Sequence, residues 1–300
     1  MAKGQDIKRR IKSIGSMLQV TKAMEMIASI KMRKAQEAAL CSKNYTYESW
    51  KTILQLSQKS PVKANPLFEI RDKGRILLIV ITSDRGLAGS YNSDVLRKLT
   101  AVIQENGLEN IDFVTLGRKG RDFVRSIGGE IIADFPLYQE IRFAFTSPIA
   151  RIALDGFGKR LYKKVMTIHT HFESAARKGA TSLQILPLDF GKLNAPTPEG
   201  VGVPTENVGK LAQNFENFIF EPKAAEAMDA ILRQVVRALT YEVVLESEAA
   251  EHAARMVAMK NASDAASDLR DDFQFTFNQL RQQSITSELS EISAGVIALE

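Results

Sequence analysis

The chain has little cysteine, no long apolar run and, over both ends, almost no helix breakers. One cysteine, Cys41, among 300 residues excludes an internal disulfide framework and is compatible with a reducing compartment. There is no run of about 18 uncharged apolar residues and no charged start followed by an apolar stretch, so we expect neither a membrane span nor an export signal. A content of 45% hydrophobic and 25% charged residues is typical of a soluble globular protein of one to three domains.

Glycine and proline are scarce in long stretches at both ends. Between Gln5 and Ser60 the only glycine is Gly15 and there is no proline, and residues 223–294 contain neither. Helical patterns much beyond about 25 residues are typical of coiled coils, membrane spans or repeats. Apolar residues that step by four and three favour the coiled coil. They are Ile7, Ile11, Ile14 and Leu18 near the start, and Ile285, Leu289, Ile292, Val296 and Leu299 near the end.

The two ends carry opposite charge. Residues 1–34 hold nine cations and two acids, a balance of +7, whereas residues 246–300 hold ten acids and four cations, a balance of −6. A basic arm often indicates nucleic-acid binding, but an acidic segment in the same chain favours pairing of the two helices. Because the second helix returns after the middle of the chain, we predict that the pair is antiparallel.

The middle of the chain alternates short β-branched or apolar runs with helix-like segments. The runs cover 74–82, 111–117, 130–135, 165–172 and 181–188, and helical patterns cover 92–105 and 119–127. This alternation predicts an α/β domain with a mostly parallel sheet. We therefore expect an α/β protein with long helices, in which a coiled-coil helix over 1–60 and another over 208–300 flank an α/β domain over 75–190. A loop rich in proline and glycine is predicted at 195–207.

The first helix has an apolar face that is too wide for a two-helix pair. Met24, Met26, Ile27, Ala28, Ile30 and Met32 spread over roughly 240° of its circumference, whereas a helix on one core needs a stripe of about 100°. Methionine is an ordinary core filler, but the chain offers no third helix to cover this face. We therefore expect another protein to enclose residues 20–32.

Three local patterns suggest chemistry, and each has a structural alternative. SDRGLAG at 83–89 follows a strand and precedes a helix, where phosphate loops also lie, yet it matches neither GxGxxG nor GxxxxGKS. His169 and His171 share a strand face and would suit a metal, but a third ligand is missing nearby, so structural histidines are favoured. Glu288 and Glu291 share a helix face without a histidine or nucleophile, which disfavours acid–base catalysis. We predict no catalytic residue, metal site or cofactor.

Four separated segments resemble the gamma-subunit family of the rotary proton-translocating ATP synthases. They are VTKAMEMIASIKMRKAQ at 20–36, ITSDRGLAGSYN at 81–92, AARMVAMKNASD at 253–264 and RQQSITSELSEISAG at 281–295. The segments follow the family order along essentially the whole chain, which makes the resemblance specific.

This resemblance implies a mechanical role. In the family, the two helices form a central shaft inside a ring of three alpha and three beta subunits, and the α/β domain joins the epsilon subunit and the membrane ring of c subunits. It implies a noncatalytic subunit, peripheral on the cytoplasmic face of the inner (plasma) membrane, that couples proton-driven rotation to the cycling of the beta subunits. Residues that match family positions for contact with beta or for bracing of the helices are Lys22, Met24, Arg255, Gln282, Thr286, Glu288 and Glu291. Asp84 and Arg85 stay open as subunit contacts.

Two other function classes fit the sequence less well. A nucleotide-dependent enzyme needs a phosphate-binding loop and a catalytic group at the carboxyl edge of the sheet, and neither is recognisable. A coiled-coil nucleic-acid binder would use the basic arm and usually places aromatic residues beside its cations, but residues 1–40 contain no aromatic residue. We favour the rotor shaft and keep the nucleic-acid binder as the alternative.

Overall fold

The structure is a computed structural model that describes residues 2–56, 65–137, 141–174, 177–189 and 224–297. The predicted boundaries at 60, 190 and 208, and the predicted loop at 195–207, lie outside these residues. The helices are α1 (Ala2–Leu56), α2 (Tyr91–Asn106), α3 (Arg118–Ser126), α4 (Phe143–Gly158) and α5 (Ala224–Ile297). The strands are β1 (Arg75–Ile81), β2 (Ile111–Leu116), β3 (Glu130–Phe135), β4 (Tyr162–Phe172) and β5 (Lys178–Leu186).

The chain divides into two compact units. We call residues 1–29 and 255–300 the terminal unit, and residues 30–254 the sheet unit. None of the helices in the described part of the chain is both long and apolar enough to span a bilayer.

The sheet unit contains a five-stranded sheet in the order β3-β2-β1-β4-β5. Strand β1 pairs in parallel with β2 and β4, β2 pairs in parallel with β3, and β5 pairs antiparallel with β4. The central strand reads RILLIVI and is buried at all but its first position, as expected for a parallel strand covered on both faces. The mostly parallel sheet predicted from the sequence is confirmed.

Both faces of the sheet are covered by helices. Because side chains alternate along a strand, Leu77, Ile79 and Ile81 of β1 join one core, which contains α4 and residues 228–245 of α5. The intervening residues of β1 join a second core with α2 and α3. One stretch of the C-terminal helix is thus a layer of the α/β unit, although the sequence predicts only a coiled coil there.

Helix α4 is absent from the sequence prediction. It contains Pro148, and an interior proline removes a helix hydrogen bond and disfavours the helix locally. Burial of Ile149, Ala153 and Phe157, which are spaced four residues apart, provides the opposing stabilisation. Tertiary packing therefore overrides the local breaker.

In the terminal unit, α1 and α5 run antiparallel. The guanidinium of Arg10 lies 5.8 Å from the ring centroid of Phe273, and the Ser263 hydroxyl donates to Thr21 Oγ1 at 2.7 Å. Residue numbers therefore rise along α1 as they fall along α5, which confirms the predicted antiparallel pair. The apolar part of this seam consists of Ile14, Leu18 and Ala266, with Phe273 packed against it.

Candidate partner-contact site

The terminal unit exposes an apolar face on α1. Met17, Val20, Met26 and Ile27 are 58%, 57%, 66% and 55% exposed, whereas Ala28 on the adjoining face is buried. Large contiguous apolar patches are uncommon on monomeric proteins and mark interaction sites. The structure thus leaves open much of the face that the sequence analysis assigns to an outside partner.

A second apolar stripe is exposed on α5. Ile285, Leu289 and Ile292 are 49%, 59% and 65% exposed, so no described part of the chain covers the seam predicted there. The candidate contact residues Gln282, Thr286, Glu288 and Glu291 are exposed on the same segment.

Local hydrogen bonds hold these polar side chains. The Thr286 hydroxyl donates to the Gln282 carbonyl at 3.0 Å. Glu288 and Glu291 accept from the hydroxyls of Ser284 and Ser287, each at 3.4 Å. Each of these bonds joins residues four apart on α5, so none of them depends on another part of the chain.

Lys22 lies beside a cationic groove of the terminal unit. A groove of about 460 Å³ is lined by Lys12, Lys22 and Arg270, with Gly15 between them. The two helices thus concentrate positive charge in this groove.

Two other candidate contact residues, Met24 on α1 and Arg255 on α5, are both partly buried.

The SDRGLAG loop is anchored at the carboxyl end of β1. The buried Thr82 hydroxyl accepts a hydrogen bond from the Gly120 N–H at 2.7 Å and donates to the Leu116 carbonyl at 3.2 Å. Ser83 N–H donates to Asn92 Oδ1 at 3.0 Å. These bonds tie the loop to β2, α3 and α2 and so fix its path.

Asp84 reaches from the SDRGLAG loop to the N-terminus of α3. Its Oδ1 accepts from the Arg118 N–H at 2.9 Å, at the start of α3. Helix N-termini attract negative charge, and here the chain supplies its own carboxylate. Gly117 permits this turn, since it has φ +89° and a Cβ there would lie 2.2 Å from the Thr82 carbonyl. Arg85 beyond it is exposed.

The usual ligand position of an α/β sheet is filled by α5. Ligands bind where the strand order reverses, at the carboxyl ends of β1 and β4. There the Thr170 N–H donates to the Ser247 hydroxyl at 3.1 Å, and Ala88 and Tyr91 pack with Ala250 and Ala254 of α5. Alanine side chains allow this close approach.

The two histidines of β4 contact acidic residues of α5. His171 Nδ1 lies 3.0 Å and His169 Nε2 lies 4.0 Å from Glu246 Oε2. The hydrogen bond to Glu246 raises the pKa of His171, whereas burial lowers the pKa of His169 to about 3. Sequence reasoning missed Glu246 as a neighbour because it lies 75 residues further along the chain than His171. Among the described residues, no group of His, Cys, Asp or Glu is arranged to hold a metal.

Comparison with known proteins identifies the family. A family model described as ATP synthase matches residues 3–299. The ATP synthase gamma chain of Pelotomaculum thermopropionicum is 36% identical over 297 residues, which cover 99% of each chain. The chain belongs to the ATP synthase gamma chain family. Another family member, from Legionella pneumophila (strain Paris), is 34% identical over 308 residues and covered in full.

Solved structures share the gamma-chain fold. A chain in the central stalk and c-ring of the Tetrahymena thermophila mitochondrial ATP synthase is 25% identical, with a TM-score of 0.60 over 81% of this chain and 99% of that one. A chain in the rotor of the Euglena gracilis mitochondrial ATP synthase has a TM-score of 0.61 over 95% of this chain and 99% of that one, at 18% identity. The second likeness supports the fold alone.

Proposed function

We propose that this chain is the rotor shaft of an ATP synthase central stalk, coupling proton-driven rotation of a c ring to conformational cycling of the catalytic beta subunits. The observation that carries the proposal is the family match over residues 3–299, in a chain whose terminal unit exposes apolar faces on both helices. The same match favours the shaft over the nucleic-acid alternative.

The asymmetry of the terminal unit supports a coupling mechanism. Apolar Met26 and Ile27 are exposed on α1, while Lys12, Lys22 and Arg270 form a cationic groove. A rotating shaft with such a surface presents different chemistry to each surrounding subunit in turn. A surface that binds two conformations of a subunit with different affinity shifts their populations. Rotation then changes each beta subunit between nucleotide-binding and nucleotide-releasing states.

The contact residues have separate roles in this proposal. Six of them meet the beta subunits as the shaft turns: Lys22, Met24, Gln282, Thr286, Glu288 and Glu291. Five of these are exposed, and Met24 is partly buried beside the exposed apolar face. Arg255, which is partly buried, braces the helices. Asp84 fixes the loop that presents Arg85 as a further subunit contact.

The sheet unit serves as the attachment region. We assign to it the contacts with the epsilon subunit and the c ring, which would hold the chain peripherally at the cytoplasmic face of the membrane. Support comes from the Tetrahymena relative of the fold, which belongs to a central stalk and c-ring assembly. We also propose that the chain is a noncatalytic subunit, because α5 fills the place at the carboxyl ends of β1 and β4 where an α/β sheet would bind a nucleotide.

Co-purification tests the proposal. The tagged full chain, expressed with the alpha, beta and epsilon subunits from the same source, should yield a complex that survives gel filtration in moderate salt. Recovery of the chain without these subunits, together with DNA or RNA binding that weakens steeply with salt, would favour the nucleic-acid alternative instead.

A further inference from the structure

A buried polar cluster joins α5 to β4 within the sheet unit, and the proposed function does not use it. His169 and His171 of β4 and Glu242 and Glu246 of α5 line a cavity of about 10 Å³. We call these four residues the His–Glu cluster. A cavity of this volume is close to the smallest that holds one water.

Glu242 is the unusual member of the cluster. It is 2% exposed, and neither of its carboxylate oxygens has a partner in good hydrogen-bond geometry, although the Thr46 hydroxyl of α1 is near enough to lower its proton affinity. Glu246, in contrast, accepts from His171 at 3.0 Å. An ionised carboxylate buried without a partner is strongly destabilising, whereas a protonated one costs less and can donate a hydrogen bond. The geometry therefore favours a neutral Glu242 beside a charged Glu246–His171 pair.

We propose that the His–Glu cluster binds one water, and that Glu242 binds one exchangeable proton. The bound proton stabilises the packing of α5 against β4. The water would accept a hydrogen bond from the protonated Glu242 carboxyl, which has no well-aligned partner within the protein. Release of the proton would place a second negative charge next to Glu246. The repulsion between the two carboxylates would weaken the packing of α5 against β4.

Burial and the neighbouring groups together set the proton affinity of Glu242. Burial raises this affinity most, and Glu246 on the same helix also raises it. Three neighbours lower it: Lys43 and Thr46 of α1, and His171 of β4. His169 stays neutral, and β5 contributes only Thr181 and Leu183 to the cavity, which do not titrate in this range. Burial is the largest influence, and together these effects raise the pKa of Glu242 from 4.5 to about 7.

The sign of the pH effect follows from this shift. A carboxyl whose pKa is higher in the folded chain contributes stability that is complete below its unfolded pKa and is lost as the pH rises through its folded pKa. For Glu242 the loss runs from 4.5 to about 7. His171, with a raised pKa, adds to the loss above 6.5. His169 acts in the opposite sense, since stability from its neutral form is lost as the pH falls from 6.5 toward about 3.

Because these contributions overlap, the test compares variants of the full chain. Glu242→Gln mimics the protonated carboxyl, and Glu226→Gln removes the same charge from an exposed position of the same helix. In urea unfolding, Glu242→Gln should match the wild type near pH 4.5, and at about pH 8.5 its unfolding constant should be smaller by about two orders of magnitude. Glu226 lies in the first turn of α5, so Glu226→Gln should lose some stability but run parallel to the wild type above about pH 6.

A direct titration separates a proton site from a purely structural role. With carbon-13-labelled glutamate, one carboxyl signal that is missing in Glu242→Gln should titrate near pH 7. Lys43→Met should move its midpoint to higher pH and Glu246→Gln to lower pH, because the two neighbours act with opposite sign. A signal that titrates below about pH 5, like an ordinary glutamate, or parallel stability curves for Glu242→Gln and the wild type, would overturn the proposal.

Discussion

Replacing Ile27 with glutamine tests whether the exposed face of α1 is built for a partner. Ile27 is 55% exposed, and glutamine is a good helix former, so the free chain should keep its stability to within about 0.5 kcal/mol. The matched control is Leu18→Gln on the same helix, where the side chain is 7% exposed and packs in the seam with Ala266. That control should destabilise the terminal unit by about 2–4 kcal/mol.

The expected effect on assembly follows from the exposed fraction. Burying an aliphatic side chain completely stabilises by about 1.5–3 kcal/mol. Ile27 is 55% exposed, so a partner that covers it completely gains about 0.8–1.7 kcal/mol from this residue. The glutamine variant should therefore bind the ring of alpha and beta subunits about 4- to 17-fold more weakly.

Competition measures this difference. Differently tagged wild-type and Ile27→Gln chains are mixed with a limiting amount of alpha and beta subunits, and the ratio recovered in the complex gives the relative affinity. Urea unfolding of each free chain, followed by circular dichroism, gives the stability. Equal recovery of the two chains would refute the assignment of this face to the ring. So would a loss of stability as large as that of Leu18→Gln, since Ile27 would then serve the chain's own fold.

Thr82→Val should destabilise the sheet unit by about 1–3 kcal/mol because the buried Gly120 N–H loses its acceptor. Thr82→Ser keeps the hydroxyl and should lose less, so equal urea midpoints for the two variants would contradict the anchoring role. Met24→Lys should assemble but pump fewer protons per ATP hydrolysed, since an added cation favours one angular position of the shaft. Met24→Leu is its control, and an unchanged pumping ratio in the lysine variant would reject this account. Calorimetric titration of ATP into the free chain should show no micromolar binding, and such binding would count against a noncatalytic subunit.

The strands were predictable because their signal is local. Runs such as RILLIVI at 75–81 are apolar on both faces, and this pattern follows from a parallel strand buried on both sides. Strand β4 begins three residues before the predicted run, at Tyr162 followed by Lys163 and Lys164. Lysines disfavour a strand on composition, but pairing of Lys164 with Ile76 of β1 extends the ladder.

The surroundings of the candidate residues were not predictable in the same way. The sequence places SDRGLAG in a strand-to-helix turn, but only the fold shows Asp84 accepting from the Arg118 N–H. It places His169 and His171 on one strand face, but Glu242 and Glu246 reach them from a helix far along the chain. Such contacts depend on how α5 crosses the sheet, and no periodicity within α5 contains that information.

What the sequence by itself determined is the two terminal helices, the strands of the sheet and the family. Long stretches almost without glycine and proline predict the two terminal helices. Apolar runs that alternate with helical patterns predict the sheet, and four segments in the family order indicate the gamma-subunit family. What only the tertiary structure decided is which surfaces remain open and which polar groups become buried together. Exposure of Ile27 and burial of Glu242 depend on neighbours brought from distant parts of the chain. Burial is a property of the packed chain, so a residue's local sequence cannot fix it.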